Sequence, residues 1–220
     1  MVSAIFATLA AGQLLLGWQA ARRWRTDGGR FTALPTVLCL ALVYDNAVIA
    51  MGSTLGPGPT LETLSAPRFV MHAMLTPLLI PWSRDVAARA GLAAARSPRA
   101  RVGAWLLAAI LIVTGVGHCY FQLTAQPKWW AGTLRYSDTA ATFAATAPVL
   151  VSGLTVLIVG IILWQRHSFA GLAVPAFVMA AVAGLSTSVP VLGNAGELVF
   201  DAGLIATARR SATCAVDRLM

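Results

Sequence analysis

The chain has 220 residues, 58% of them apolar and 11% charged, with a mean hydropathy of +0.74. Soluble domains carry about 25% charged residues, and here the apolar residues come in long blocks parted by short basic or Gly/Pro-rich links. This excludes a soluble enzyme and indicates an all-α, polytopic membrane protein with the lipid bilayer as its solvent. The net charge of +8 fits arginines at membrane boundaries. With no dense basic tract or RNA-binding motif, no nucleic acid is expected as a partner.

In chain order, spanning helices are expected over 2–20, 33–52, 66–82, 102–123, 145–164, 171–189 and 191–208, a single seven-helix domain. The N-terminus is apolar from Val2, lacks a charged n-region and is followed by Arg22, Arg23 and Arg25. A cleaved signal peptide has the reverse polarity, so a first span is expected there. The second segment ends in Gly56-Pro57-Gly58-Pro59, which cannot continue a helix. Pro77 and Pro81 should bend or unwind the end of the third. The fourth is followed by the longest loop, over 124–139. The sixth is kinked or started at Pro175, and a tight turn near Pro190 makes it an antiparallel neighbour of the seventh.

The loop charges agree with this count. Arg22, Arg23, Arg25, Arg30, Arg84, Arg89, Arg96, Arg99, Arg101, Arg166, Arg209, Arg210 and Arg218 fall on one side; the other has only Arg68, Lys128 and Arg135. Basic residues mark the cytoplasmic face, so the expected placement is an integral cell-membrane protein, N-terminus outside and C-terminus cytoplasmic. Cys39, Cys119 and Cys214 are odd in number and without metal-ligand spacing, and read as small packing residues.

The last apolar segment carries Gly196-Glu197-Leu198-Val199-Phe200-Asp201. Its two carboxylates are four residues apart and share a helix face with Asn194. One carboxylate at membrane depth costs about 2.5–3.5 kcal/mol on insertion scales, so this face should meet a cavity or a partner. At about 1.5 Å per residue, Asp45, Asn46, His72, His118, Asn194, Glu197 and Asp201 all fall in the outer half. Four helices supplying one polar level indicate a cavity, since a conduction path would be polar through the whole thickness. Each has a structural alternative. Asn46 and Asn194 could be interhelical glue. His118 could be a satisfied packing histidine and His72 a partner of a carboxylate. Glu62 could be an exposed cap of the third helix, and Arg68 an anchor for its start.

Burial in an apolar pocket favours the neutral form of a carboxyl group, and a second carboxyl nearby favours it further. An acid held neutral is a proton donor. Aromatic residues at the same level, Tyr44, Phe69, Tyr120, Phe121, Trp129, Trp130, Phe143 and Phe200, have faces that attract cations. Trp18, Trp24, Trp82 and Trp164 are assigned to the membrane-interface belts. Together these suit reactions begun by protonating an alkene or epoxide.

On Val43-Tyr44-Asp45-Asn46, Leu61-Glu62-Thr63-Leu64-Ser65 and Gly196-Glu197-Leu198-Val199-Phe200-Asp201, the chain resembles the integral-membrane terpene cyclases of meroterpenoid and drimentine-type indole-sesquiterpenoid pathways. The resemblance covers size, topology and acid placement. It implies an isomerase-type activity: cyclisation of a linear, farnesyl-type isoprenoid attached to an acceptor, started by a general acid and carried through carbocations. It implies Glu62 and Asp201 as the proton-delivering pair, with Asp45 and Glu197 as rivals. Asn46, Tyr44, Phe69, His72, His118, Tyr120, Trp129, Asn194 and Phe200 would line the substrate. The DxDD and DDxxD signatures of soluble cyclases are missing, so no magnesium-diphosphate site and no cofactor are expected.

Three rivals remain. A retinal photoreceptor needs a lysine in its last helix, and the chain's single lysine, Lys128, is in a loop. A zinc-dependent lipid hydrolase would have to draw on His72 and His118, because His167 falls on the opposite face. A proton-coupled transporter or ligand-binding membrane protein would also use buried acids, though no repeat or broken-helix pair marks one.

Overall fold

The computed structural model describes residues 2–26, 31–140 and 142–216. Arg30 and Arg218 lie outside the described residues, as do the side chains of Arg25 and Cys214. The protein is mostly helical, 81%. Helix α1 (Val2–Thr26) lies along α2 (Ala33–Leu55). The chain continues as α3 (Pro59–Leu75), a 3-10 turn (Thr76–Leu78), α4 (Leu79–Arg89), α5 (Ala93–Arg96) and α6 (Pro98–Phe121). Strands β1 (Ala125–Trp130) and β2 (Thr133–Asp138) follow, then α7 (Phe143–His167), α8 (Ala173–Leu185) and α9 (Pro190–Val216). A crossing needs about 20 apolar residues at 1.5 Å each. Five helices are long and apolar enough: α1, α2, α6, α7 and α9.

The other two expected spans take a different form. Residues 66–82 do not make one helix. Helix α3 starts earlier, at Pro59, and stops at Leu75, because Pro77 lacks an amide and crowds the preceding turn. The chain tightens into the 3-10 turn and resumes as α4, with Pro81 in its first turn. Residues 171–189 give only the 13-residue α8. It ends where Ser186 Oγ and Thr187 Oγ1 donate to the carbonyls of Ala183 and Gly184, at 2.7 and 3.2 Å, drawing the backbone into a turn.

Residues 124–139 are not a plain loop. They form an antiparallel hairpin in which Trp130 pairs with Thr133 across Ala131-Gly132. Both turn residues have positive φ, 46° and 81°, the two-residue turn whose twist matches a hairpin. Leu134 and Tyr136 of β2 pack on Val48 and Leu61, between α2 and α3. Gly52 allows this approach: a Cβ there would overlap the Leu134 carbonyl oxygen. The hairpin thus caps the end of the bundle where α2, α6 and α8 finish.

The basic links gather at the opposite end. Trp82 Nε1 donates to the Phe31 carbonyl at 2.9 Å, His167 Nε2 to the Ala90 carbonyl at 2.9 Å, and Arg89 stacks 4.9 Å over Phe31. Trp82 is therefore a core residue, 6% exposed, and not part of an interface belt. It joins Val86, Leu163, Leu172 and Leu204 in the largest apolar cluster. Trp18, Trp24 and Trp164 are about half exposed, as a lipid-facing position requires.

Candidate active site

A cavity of about 410 Å³ lies between α2, α3, α7, α8 and α9, within the range of about 300–1,000 Å³ usual for small-molecule sites. Its walls are mostly Leu, Met, Ala and Val, and its polar residues are His72, Thr76, Glu197 and Asp201. Phe200 supplies the aromatic surface. Leu150 and Leu154 on the α7 wall are 64% and 58% exposed. The cavity therefore reaches the outer, lipid-facing side of the bundle along α7. Gly153 stands between those two leucines, with open space where its Cβ would project.

Helix α9 brings the acids here because Glu197 and Asp201, four residues apart, sit one turn above the other. Glu197 Oε1 lies 3.3 Å from His72 Nε2, and its Oε2 is buried without a partner. Asp201, 2% exposed, accepts from the Cys39 thiol at 3.4 Å. Gln13 of α1 is close enough to interact with the Asp201 carboxyl but falls short of hydrogen-bond geometry, which leaves both its amide atoms unpartnered. Among the described residues no cation pairs with Asp201.

The remaining candidates do not join this cavity as one level. Asp45 forms a separate buried cluster: Arg68 Nε donates to its Oδ1 at 2.7 Å and Asn194 Nδ2 to its Oδ2 at 3.1 Å. Arg68 is thus a buried ion-pair partner, and Asn194 bridges α9 to α2. Asn46 donates to the Leu42 carbonyl of its own helix, and Tyr44 to the Leu64 carbonyl, tying α2 to α3. Phe69 lies near Arg68, 5.9 Å from its guanidinium carbon. Glu62 is exposed in the first turn of α3, not in a loop, at a helix N-terminus that favours a carboxylate.

His118 belongs to a third group. Its Nε2 meets Asp138 Oδ2 at 2.6 Å, and Thr142 and Gln122 flank its Nδ1 at 3.0 and 3.2 Å. This group fastens the hairpin to α6 and α7. Burial works against the Asp138 charge. The His118 hydrogen bond and the amides of Ala140 and Thr124 outweigh it and hold the carboxyl below the ordinary 3.8. Tyr120 and Trp129 are 75% and 57% exposed, as expected of an interface belt and not of a pocket lining. His72 and His118 therefore serve different clusters, and among the described residues no three His, Cys, Asp or Glu side chains converge as a metal site.

Sequence reasoning gave no site role to Gln13, Asp138 or Arg135, and took Cys39 for a packing residue. A thiol and an amide inside apolar helices carry little signal by themselves, and Asp138 and Arg135 sit in the segment read as a loop. Compared with known proteins, the chain matches no family model, no curated protein and no solved structure.

Proposed function

We propose that this protein is a membrane-embedded terpene cyclase that starts cyclisation of a linear isoprenoid by protonating an alkene. The observation that carries the reading is the apolar cavity with an unpaired acid, Asp201, at its wall and a lipid-facing side along α7. Counting α3–α4 and α8 as crossings gives seven spans, N-terminus outside. An isoprenoid chain attached to its acceptor enters from the bilayer past Leu150 and Leu154.

Asp201 gives its proton to the terminal alkene, and a tertiary cation forms. The next alkene attacks it, closing a ring and moving the charge along the chain. The Phe200 face and the apolar wall shield the cation from water. The last cation loses a proton to the His72–Glu197 pair, which releases it to water, and Asp201 takes a fresh proton from water before the next turnover. One proton enters and one leaves, so substrate and product are isomers. Asp45 is left to Arg68 and Asn194 as a structural acid, and Glu62 to the start of α3.

Membranes holding the protein, incubated with farnesyl-bearing acceptors, should yield an isomer of unchanged mass, and Asp201→Asn should abolish it. A proton-coupled transporter would instead accumulate its ligand unaltered. Isomer formation that survives Asp201→Asn would overturn the assignment of the acid.

A further inference from the structure

Next to the cavity, the Asp45 cluster holds more positive charge than its one carboxylate can answer. Both Asp45 oxygens are taken, by Arg68 and by Asn194. Arg68 is 8% exposed, yet its Nη1 is buried without a partner. Arg135 of β2 joins the group: its charge interacts with those of Arg68 and Asp45, and its Nε is also buried and unpartnered. Burial, and then the Arg68 charge, pull the Arg135 guanidinium down from its ordinary value. Lys128 pairs with Arg135 across the hairpin and so adds a third cation to the same face. His72, which lines the cavity, follows Arg68 by four residues on α3, and Glu197 follows Asn194 by three on α9, so the Asp45 cluster sits one turn from the His72–Glu197 pair. The surplus charge therefore adjoins the polar wall of the cavity.

A second guanidinium beside an Arg68–Asp45 pair whose carboxylate is already fully engaged is stabilised by a further anion, and the forked donors of both arginines suit phosphate oxygens. We propose that Arg68 and Arg135 bind the phosphate or diphosphate head of an amphiphile whose hydrocarbon chain lies in the cavity. This deepens the cyclase reading and rests on it for the isoprenoid chain. The head is an anchor: no bond to it breaks, and it leaves with the cyclised product. The same chemistry admits the headgroup of an anionic phospholipid, so the test separates the two sources.

The test uses the Asp201→Asn protein in phosphatidylcholine nanodiscs, so that binding is read without turnover. Farnesyl diphosphate should bind at least about 10-fold more tightly than farnesol, as two charge-assisted contacts imply. Arg135→Gln should remove most of that difference and leave farnesol binding unchanged. Inorganic pyrophosphate should displace farnesyl diphosphate from the otherwise unaltered protein, a measurement that needs no arginine variant. Phosphatidylglycerol in the nanodisc that competes with farnesyl diphosphate through Arg135 would identify the lipid headgroup as an occupant of the same anion site; indifference to it would leave the isoprenoid head. Equal affinity for farnesol and farnesyl diphosphate, or discrimination that persists in Arg135→Gln, would overturn the proposal. Failure to cyclise any substrate would remove the cyclase reading while leaving the anion site standing.

Discussion

Neutralising Asp45 and neutralising Asp201 should have opposite consequences, and the structure fixes the size of each. Asp45 and Arg68 are 6% and 8% exposed and joined at 2.7 Å. Asp45→Asn keeps the shape but strands a buried guanidinium beside Arg135. Breaking a buried pair on one side costs about 3–5 kcal/mol. Asp201 has the Cys39 thiol as its hydrogen-bonded neighbour, at 3.4 Å, and an asparagine oxygen can accept from that thiol equally. The cost to stability should stay within about 1 kcal/mol, the net worth of a neutral hydrogen bond. A general acid is worth about 10²–10⁴ in rate, and here its proton starts the reaction. Thermal unfolding in detergent, with product measured per unit of folded protein, reads both effects. Asp45→Asn should unfold early while its folded fraction still cyclises; Asp201→Asn should keep its stability and lose at least about 10²-fold in rate. A stable, inactive Asp45→Asn beside an active Asp201→Asn would refute the division of roles.

Three further outcomes follow from the same geometry. Gly153→Leu projects into open space at the cavity wall, so stability should hold or rise by up to about 1 kcal/mol through helix propensity. Product formation should fall at least about tenfold as the side chain fills the substrate's place, checked by initial rate and unfolding midpoint together. Gly52→Ala drives a methyl into the Leu134 carbonyl and should cost about 1–3 kcal/mol, seen as faster amide exchange over residues 125–138. Because the folded Asp138 carboxyl is held below 3.8, its contribution to hairpin docking is complete above that value and is lost as pH falls through the lower folded one. Exchange of the hairpin amides, corrected for intrinsic rate, should rise with acidification below about pH 4, and Asp138→Asn should remove that dependence.

The long apolar helices were legible because span length and the placement of arginines are set by the bilayer, and α1, α2, α6, α7 and α9 fall on the expected segments. The break at Thr76–Leu78 was legible as a proline effect, whereas the start of α3 at Pro59 was not. Gly56-Pro57-Gly58-Pro59 reads as a stop, yet its last residue suits the first turn of the next helix. The hairpin was not legible because Ala131-Gly132 is a weak turn signal and the aromatics Trp129, Trp130 and Tyr136 resemble an interface belt. At the site, the spacing of Glu197 and Asp201 implied a shared face, and both line the cavity. Depth alone could not separate Asp45 and His118 from them. Residues at one level of a bundle can face different neighbours, and helix rotation is fixed by packing that a single sequence does not print. Arg68, read as an anchor for a helix start, and Asp138, inside the segment read as a loop, are what draw Asp45 and His118 away.

The central claim is that a buried acid delivers a proton to an alkene. The direct measurement is mass spectrometry of product formed in D2O by the purified protein in nanodiscs, with a farnesyl-bearing substrate. Asp201 exchanges with solvent between turnovers, so the account predicts a cyclised product carrying one deuterium on the carbon first protonated, one mass unit above its substrate. Cyclised product without deuterium, or substrate recovered unchanged under conditions where it binds, would contradict it.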